Sequence, residues 1–435
     1  MTSKLEAFAK ENGIKYFLFN FTDLRGTQRS KLVPAGAAGK MEEEGAGFAG
    51  FATYLDLTPA HPDMFAIPDP DAVVQLPWRR EVAWVPGDLW MDGEPIEQAP
   101  RRVLKRAIEA AKAQGFHPMS GVEPEYHLIN ADGSDISDEL DTSEKPCYDQ
   151  SAIMRRYDVI AEICDAMVEM GWGPYQNDHE DANGQFEMNW DFADCLVTAD
   201  RHAFFKFMVR SIAEKHGLRA TFMPKPFMHL TGNGCHVHMS LWDKAGGKNI
   251  MHDSADELGL SEKAYHFLGG VLRHAEAACA ITNPTVNSYK RINAPVTASG
   301  ATWSPNSVTW AGNNRTHMVR VPDEGRFEFR QADGAANPYL LQAVKLASGL
   351  EGIASQQQPG KRLDIDMYSE GHKARGAKKL PLYLIDAVRA FERDKTLRRA
   401  LGDDFSNAYI KLKTAEWNEY SRHLTEWERH NTLDC

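Results

Sequence analysis

No two cysteines in this chain stand in Cys-x-x-Cys spacing; the six it has (Cys147, Cys164, Cys195, Cys235, Cys279 and Cys435) are scattered over 435 residues. That distribution argues against a zinc ribbon or a disulfide scaffold and fits a reducing compartment, so a cytoplasmic location is expected. The chain also lacks an apolar run long enough to cross a bilayer. Its opening, Met1-Thr2-Ser3-Lys4-Leu5-Glu6, begins an acidic amphipathic stretch rather than an apolar leader. Positive charge is in deficit: 49 Lys and Arg stand against 61 Asp and Glu, a formal net charge of -12. A nucleic-acid polyanion is therefore not the expected partner. Internal repeats and low-complexity segments are absent. What remains is an ordinary globular composition, 43% hydrophobic and 25% charged, in a chain long enough for two or three domains.

Taken in order, residues 1–97 read as a small α+β unit. Tyr16–Phe21 and Thr27–Pro34 form a strand pair around an Asp23–Gly26 turn. Prolines 59, 62, 68 and 70 predict no regular structure between Thr58 and Asp71, and Val73–Leu76 and Val82–Pro86 read as short strands. Pro95–Pro100 marks a boundary. A helix then runs from Arg101 to Gly115, and Ile153–Met170 reads as one amphipathic helix. Alternating strands and helices are expected from there to the C-terminus.

The chemistry begins at Gly121-Val122-Glu123-Pro124-Glu125-Tyr126-His127. In a strand, residues i and i+2 share a face, so Glu123 and Glu125 project side by side and repel unless a cation or proton compensates. Pro124 cannot donate to a ladder, which predicts an interrupted or edge strand. A second acidic stretch is His179-Glu180-Asp181-Ala182-Asn183-Gly184-Gln185-Phe186-Glu187. Asn-Gly between strand-like flanks predicts a two-residue hairpin that sets Glu180 opposite Glu187. Four glutamates on two segments point to hard divalent ions, Mg2+ or Mn2+, rather than zinc. In Gly232-Asn233-Gly234-Cys235-His236-Val237-His238 the two histidines share one strand face after a flexible turn, as metal ligands or substrate contacts. Arg291, Arg315, Arg320, Arg326 and Arg330 cluster downstream, with Arg326, Glu328 and Arg330 on one face. Forked guanidinium groups near metals suit a phosphoryl group and a carboxylate.

Those motifs, with Asn283-Pro284-Thr285-Val286-Asn287-Ser288-Tyr289-Lys290-Arg291 and Ala335-Ala336-Asn337-Pro338-Tyr339-Leu340, resemble the glutamine synthetase family along essentially the whole chain. The resemblance implies an α+β fold, with a β-grasp domain at 1–97 and a catalytic domain at 98–435 on a curved antiparallel sheet. It implies a ring-shaped homo-oligomer, a dodecamer in most members, with sites shared between neighbours. It assigns Glu125, Glu180 and Glu187 to one divalent ion, and Glu123, His236 and Glu328 to a second. Arg291, Arg330 and Gly232 match glutamate contacts, and Arg315 and Arg320 match phosphate contacts. Phe192, His238, Ser240 and Arg326 match the nucleotide border. The implied reaction is ATP-dependent activation of glutamate to γ-glutamyl phosphate, followed by attack of an amine.

The amine site is where the chain departs from the family. The expected aspartate-bearing turn reads Phe48-Ala49-Gly50-Phe51-Ala52, and the loop Ile292 to Asn313 carries no Asp or Glu but holds Trp303 and Trp310. Losing carboxylates and gaining aromatics favours a larger, partly apolar amine, with methylamine the smallest natural candidate and Trp303 a substrate contact. Ammonia is the alternative, with Asp56 or Asp63 filling the gap; polyamines rank third. A non-catalytic relative is disfavoured because the motif residues are all kept.

Overall fold

The computed structural model describes residues 3–300 and 302–435. Met1 and Thr2 of the expected N-terminal unit and Ala301 of the acid-free loop lie outside the described residues. The chain is mixed α+β, with two sheets and a helical C-terminal segment from Pro338 onward.

The first sheet is built on Tyr16–Thr22 and Gln28–Pro34, antiparallel as predicted. Tyr16–Thr22 also runs parallel to Val82–Met91, a strand longer than expected that carries Met64–Pro68 on its far half. Met64–Pro68 corrects the reading of the proline-rich stretch as irregular. Its only proline ends the strand, where a missing N–H costs the ladder least. Leu5, Phe17, Phe19 and Val85 close a small apolar core on one face of this sheet. Trp84 on the other face joins the main core against Phe204, with ring centroids 5.4 Å apart.

The second sheet is centred on Phe116–Asn130, a 15-residue strand. Cys235–Asp243 lies on one side of it; Gln185–Trp190, Leu218–Thr221 and Ala193–Asp194 pair with its other portions. Phe327–Phe329, Val319–Arg320 and Trp310–Ala311 extend the sheet outward, antiparallel except for the last pair, which is parallel. Pro124 therefore sits in a central, unbroken strand, not at an edge. It is tolerated because, among the described residues, 121–124 have no strand partner on the side facing Gln185–Trp190, where pairing begins only at Glu125. The missing N–H therefore costs no ladder hydrogen bond on that side.

Two helices replace the single one expected at 153–170: Gln150–Arg155 and Tyr157–Glu169 meet at Arg156. The Arg156 guanidinium is drawn aside to Ser137, with Nε 2.9 Å from Oγ. Beyond Phe329 the chain is helical rather than alternating, and Pro338–Ala354 is buried along most of its length. Among the described residues no helix is long and apolar enough to cross a membrane.

Candidate active site

The alternation predicted for the central strand holds. Glu123 and Glu125 both face a pocket also lined by Gln176, Asp178, Glu180, Glu187, Gly232, His236 and Arg291. Trp303, Arg315, Arg320, Glu328 and Arg330 complete its wall. Glu125 is fixed first: one oxygen accepts from Gly234 N at 2.6 Å and from Gln185 Nε2 at 2.9 Å. Gly232 lends its carbonyl to the same amide at 3.2 Å, and a Cβ there would meet the Pro224 oxygen at 2.1 Å, so only glycine fits.

Across the sheet, His236 stands directly opposite Glu123, and His238 opposite Glu328. His236 Nδ1 lies 3.4 Å from Glu123 and 3.5 Å from Glu328; His238 Nε2 lies 2.9 Å from the other Glu123 oxygen. Burial alone would raise Glu123, but His238 and His236 beside it carry it well below the usual carboxylate range. Glu328 is likewise held down, to about 2, by Arg330 and His236 against the cost of burial. Arg330 pairs with it directly, and Arg320 reaches its other oxygen at 2.7 Å.

On the other side of the pocket the charge is uncompensated. Glu187 stands opposite Asp178, not Glu180, so the predicted hairpin register is corrected by two residues. The turn is wider than Asn-Gly alone. Glu180 N bonds Gln185 O, Gln185 N closes on Ala182 O, and only Gly184 takes a positive φ, +72°. Asp141 imposes this shape from outside the hairpin: its oxygens accept from Asn183 Nδ2 at 2.9 Å and Gly184 N at 2.7 Å. Loss of hydration and the neighbouring Glu125 push Glu180 up to about 8. Burial, Glu123 and Glu180 drive Glu187 well above the usual range. Asp178 is also raised, chiefly by burial. It joins Glu180 and Glu187 in one cluster of ligand oxygens within 4.8 Å of one another, while Glu123 groups with Glu187 and His236, and also with His238 and Glu328. Asp178 was missed by sequence reasoning, although its i−2 spacing from Glu180 on a strand places it on the same face.

This donor set fits hard divalent ions. It is rich in carboxylate oxygens; among the described residues only Asn189 Nδ2 and Asp181 N reach Glu187 and Glu180 as donors, and His236 Nε2 is buried without a hydrogen-bond partner. Buried like charges of this density are costly unless a cation lies among them.

The arginines form the opposite wall. Arg291 and Arg330 are buried, 3% and 4% exposed, and face Glu125 and Glu328. A second hollow adjoins the first behind His238, lined by Phe192, Ser240, Trp242 and Arg326. Phe192 is exposed and lies nearly parallel to Trp242 at 6.4 Å, and Arg326 Nη1 lies 3.2 Å from His238 Nδ1.

The two loop tryptophans part company. Trp303 lines the carboxylate pocket with φ at +51°, a conformation rare for a bulky residue, and its ring packs edge-on to Tyr368. Trp310 does not reach the pocket: it is buried against Tyr265 and bonds the Gly360 carbonyl. Within this chain Phe48 packs on Phe21, Phe51 is exposed, and Asp56 pairs with Lys411 at 2.5 Å. None of the three lines the pocket. Cys235 is buried in the core, its thiol pushed up by burial, as expected of a small packing side chain.

Residues 97–432 match the family model for the glutamine synthetase catalytic domain. A glutamine synthetase of Rhizobium leguminosarum bv. phaseoli is 65% identical over 434 residues, covering 100% of both chains. A glutamate–methylamine ligase of Methyloversatilis universalis is 39% identical over 441 residues, covering 99% of each. A solved GmaS–ADP complex superposes with a TM-score of 0.96 at 62% identity, again over 100% of both chains.

Proposed function

The chain belongs to the glutamine synthetase family, and from that premise we propose that it is an ATP-dependent carbon–nitrogen ligase joining methylamine to the γ-carboxylate of L-glutamate. The product is γ-glutamylmethylamide. The observation that carries the choice of amine is Trp303, held at positive φ in the pocket wall on a loop with no acidic residue.

In this reading Arg291, Arg330 and the Gly232 carbonyl orient glutamate, and their burial keeps the γ-carboxylate in one pose. Phe192, His238, Ser240 and Arg326 border the nucleotide, and Arg315 and Arg320 bear on its phosphates. A γ-carboxylate oxygen bonds the terminal phosphorus as the bond to the bridging oxygen breaks, giving γ-glutamyl phosphate and ADP. The amine nitrogen then bonds the acyl carbon, the carbon–oxygen bond to phosphate breaks, and the nitrogen loses its extra proton. Asp178, Glu180 and Glu187, with Glu125 on the same pocket wall, would hold one Mg2+ or Mn2+, and Glu123, His238 and Glu328, with His236 beside Glu123 and Glu328, a second. Bound there, the ions supply positive charge to the phosphoryl oxygens. Arg315 and Arg320 contribute in the same sense, as fixed charge that needs no reorganisation.

The aromatic face of Trp303 offers a methylammonium ion cation–π attraction of ~0.5–2 kcal/mol and an apolar surface for its methyl group. Likeness to the GmaS structure and to the glutamate–methylamine ligase supports the same amine. Ammonia is the second reading, favoured by the name carried by the relatives at 65% identity. We also read residues 1–97 as a β-grasp domain, 98–435 as the catalytic domain, and the assembly as a ring, most simply a dodecamer.

The test is phosphate release dependent on ATP and glutamate, with ammonium, methylamine and ethylamine side by side. Methylamine should equal or exceed ammonium in kcat/KM, and Trp303→Ala should impair methylamine use more than ammonium use. One methyl group discriminates by only ~1–3 kcal/mol, so ammonium should stay detectable at high concentration. A preference for ammonium of about tenfold or more in the wild-type protein would make this a glutamine synthetase proper.

A further inference from the structure

Away from the pocket just described, a cleft of about 750 Å³ opens between the Asp23–Gln28 turn of the first sheet, the helix Cys195–Lys215 and the strand Leu218–Thr221. In a chain of net charge -12 its charge has the opposite sign: Arg25, Lys206, Arg210 and Arg219 line it, against the single acid Glu214. Lys206 and Arg210 are four residues apart on one helix, a like-charge spacing that destabilises a helix unless something compensates. Both sit over the Phe222 ring, at 5.4 and 5.2 Å from its centroid. Lys206 is buried, its amine tied to the Gly334 carbonyl at 2.8 Å. Burial and the nearby Arg210 push its pKa down to about 7. Arg210 is likewise lowered by burial and by Arg219, with Glu214 offsetting part of this.

By contrast Arg29 pairs with Asp23, and Arg101 with Asp69, Asp88 and Asp200. Arg25, Arg210 and Arg219 form no ion pair among the described residues, although Glu214 lines the same cleft. Arg25 is supported instead by the Tyr54 ring, 4.0 Å from its guanidinium carbon. The hydroxyls of Thr27 and Thr221 lie on the cleft wall. Thr221 Oγ1 accepts from Met223 N, leaving its own hydrogen to donate.

We propose that this cleft is a second ligand site, which binds a small phosphate-bearing anion through Arg25, Lys206, Arg210 and Arg219. Three arginines alone exceed what the single carboxylate neutralises, Lys206 is placed to take up a proton as an anion enters, and forked guanidinium groups with hydroxyl donors match the several oxygens of a phosphate. Nothing in the proposed reaction uses the cleft, so its occupant is an effector and not a substrate.

The test is calorimetric titration of the full-length protein with sodium pyrophosphate in the presence of a chelator, at low and at moderate salt. The wild-type protein should show a binding event that weakens as salt rises, and that survives Arg315→Gln in the other pocket. The double variant Arg210→Gln/Arg219→Gln should bind about tenfold or more weakly, while amide synthesis stays within about twofold of wild type. Arg25→Gln, on an exposed turn that tolerates change, should weaken binding several-fold and guards against a misfolded double variant. Unchanged affinity in both variants overturns the proposal, as does loss of the event in Arg315→Gln. Succinate binding as tightly as pyrophosphate overturns the phosphate assignment.

Discussion

Stripped of divalent ions, the protein should lose stability as pH rises from about 4.5 to about 8, because over that range the unfolded chain releases protons that the folded Asp178, Glu180 and Glu187 cluster still holds, with no counter-charge to replace them. Glu180 is the measurable case, with its pKa moved from 4.5 to about 8. Between those values the folded state holds a proton that the unfolded state has released. The stability this group contributes is therefore complete below the unfolded pKa and is lost as pH climbs through the folded one. At 1.36 kcal/mol per unit, the displacement sets an upper limit of about 4–5 kcal/mol, and relaxation of a half-buried group brings the expected loss to about 2–3 kcal/mol. For a chain of this size that is a fall of about 2–3 °C in the unfolding midpoint. Glu187, displaced in the same direction, adds to it. Glu328, held to about 2, acts only as pH falls below the ordinary glutamate value and does not enter the window. A divalent ion at a hundred times its Kd returns about 2.7 kcal/mol, and more of it at high pH, where the ligands are ionised. The assay is thermal unfolding at fixed protein concentration, in chelator and in Mn2+, across that range, for the wild type and Glu180→Gln. The variant should flatten the chelated profile and shrink the effect of metal. A chelated midpoint that is level or rises with pH across that range, or a metal increment larger at pH ~5 than at pH ~8, refutes the reasoning.

Asp141→Ala removes the acceptor for His179 Nε2 (2.7 Å), Asn183 and Gly184 N without touching the pocket. It should weaken metal binding about tenfold, as loss of a ligand-orienting partner does, and unchanged affinity in a metal titration would count against Asp141 as the clamp on the turn. Arg101 is 5% exposed and bonded to Asp69, Asp88 and Asp200, so Arg101→Met leaves three carboxylates short of a partner. A loss of about 3–5 kcal/mol in denaturant unfolding is expected, and an effect below about 1 kcal/mol would show that water substitutes for the guanidinium.

Much of the site was legible because strand alternation is local. Glu123 with Glu125, His236 with His238, and Arg326 with Glu328 and Arg330 share faces through backbone geometry alone, and that geometry needs no knowledge of partners. The motif order likewise identified the family from residue types and spacing, before any contact was known.

Register and reach were decided elsewhere. Asn183-Gly184 reads as a two-residue hairpin, yet Asp141, some forty residues upstream, holds Asn183 and Gly184 in a wider turn and sets Glu187 against Asp178. Pro124 reads as a strand edge, yet the central strand changes partners at that point, so the missing N–H costs no ladder bond. Trp303 and Trp310 are indistinguishable on one loop by sequence, and only packing sends the first into the pocket and the second against Tyr265. Each of these outcomes depends on a hydrogen bond or a contact made by a distant segment. A one-dimensional pattern carries the identity of a side chain and the face it takes, but not what stands across from it.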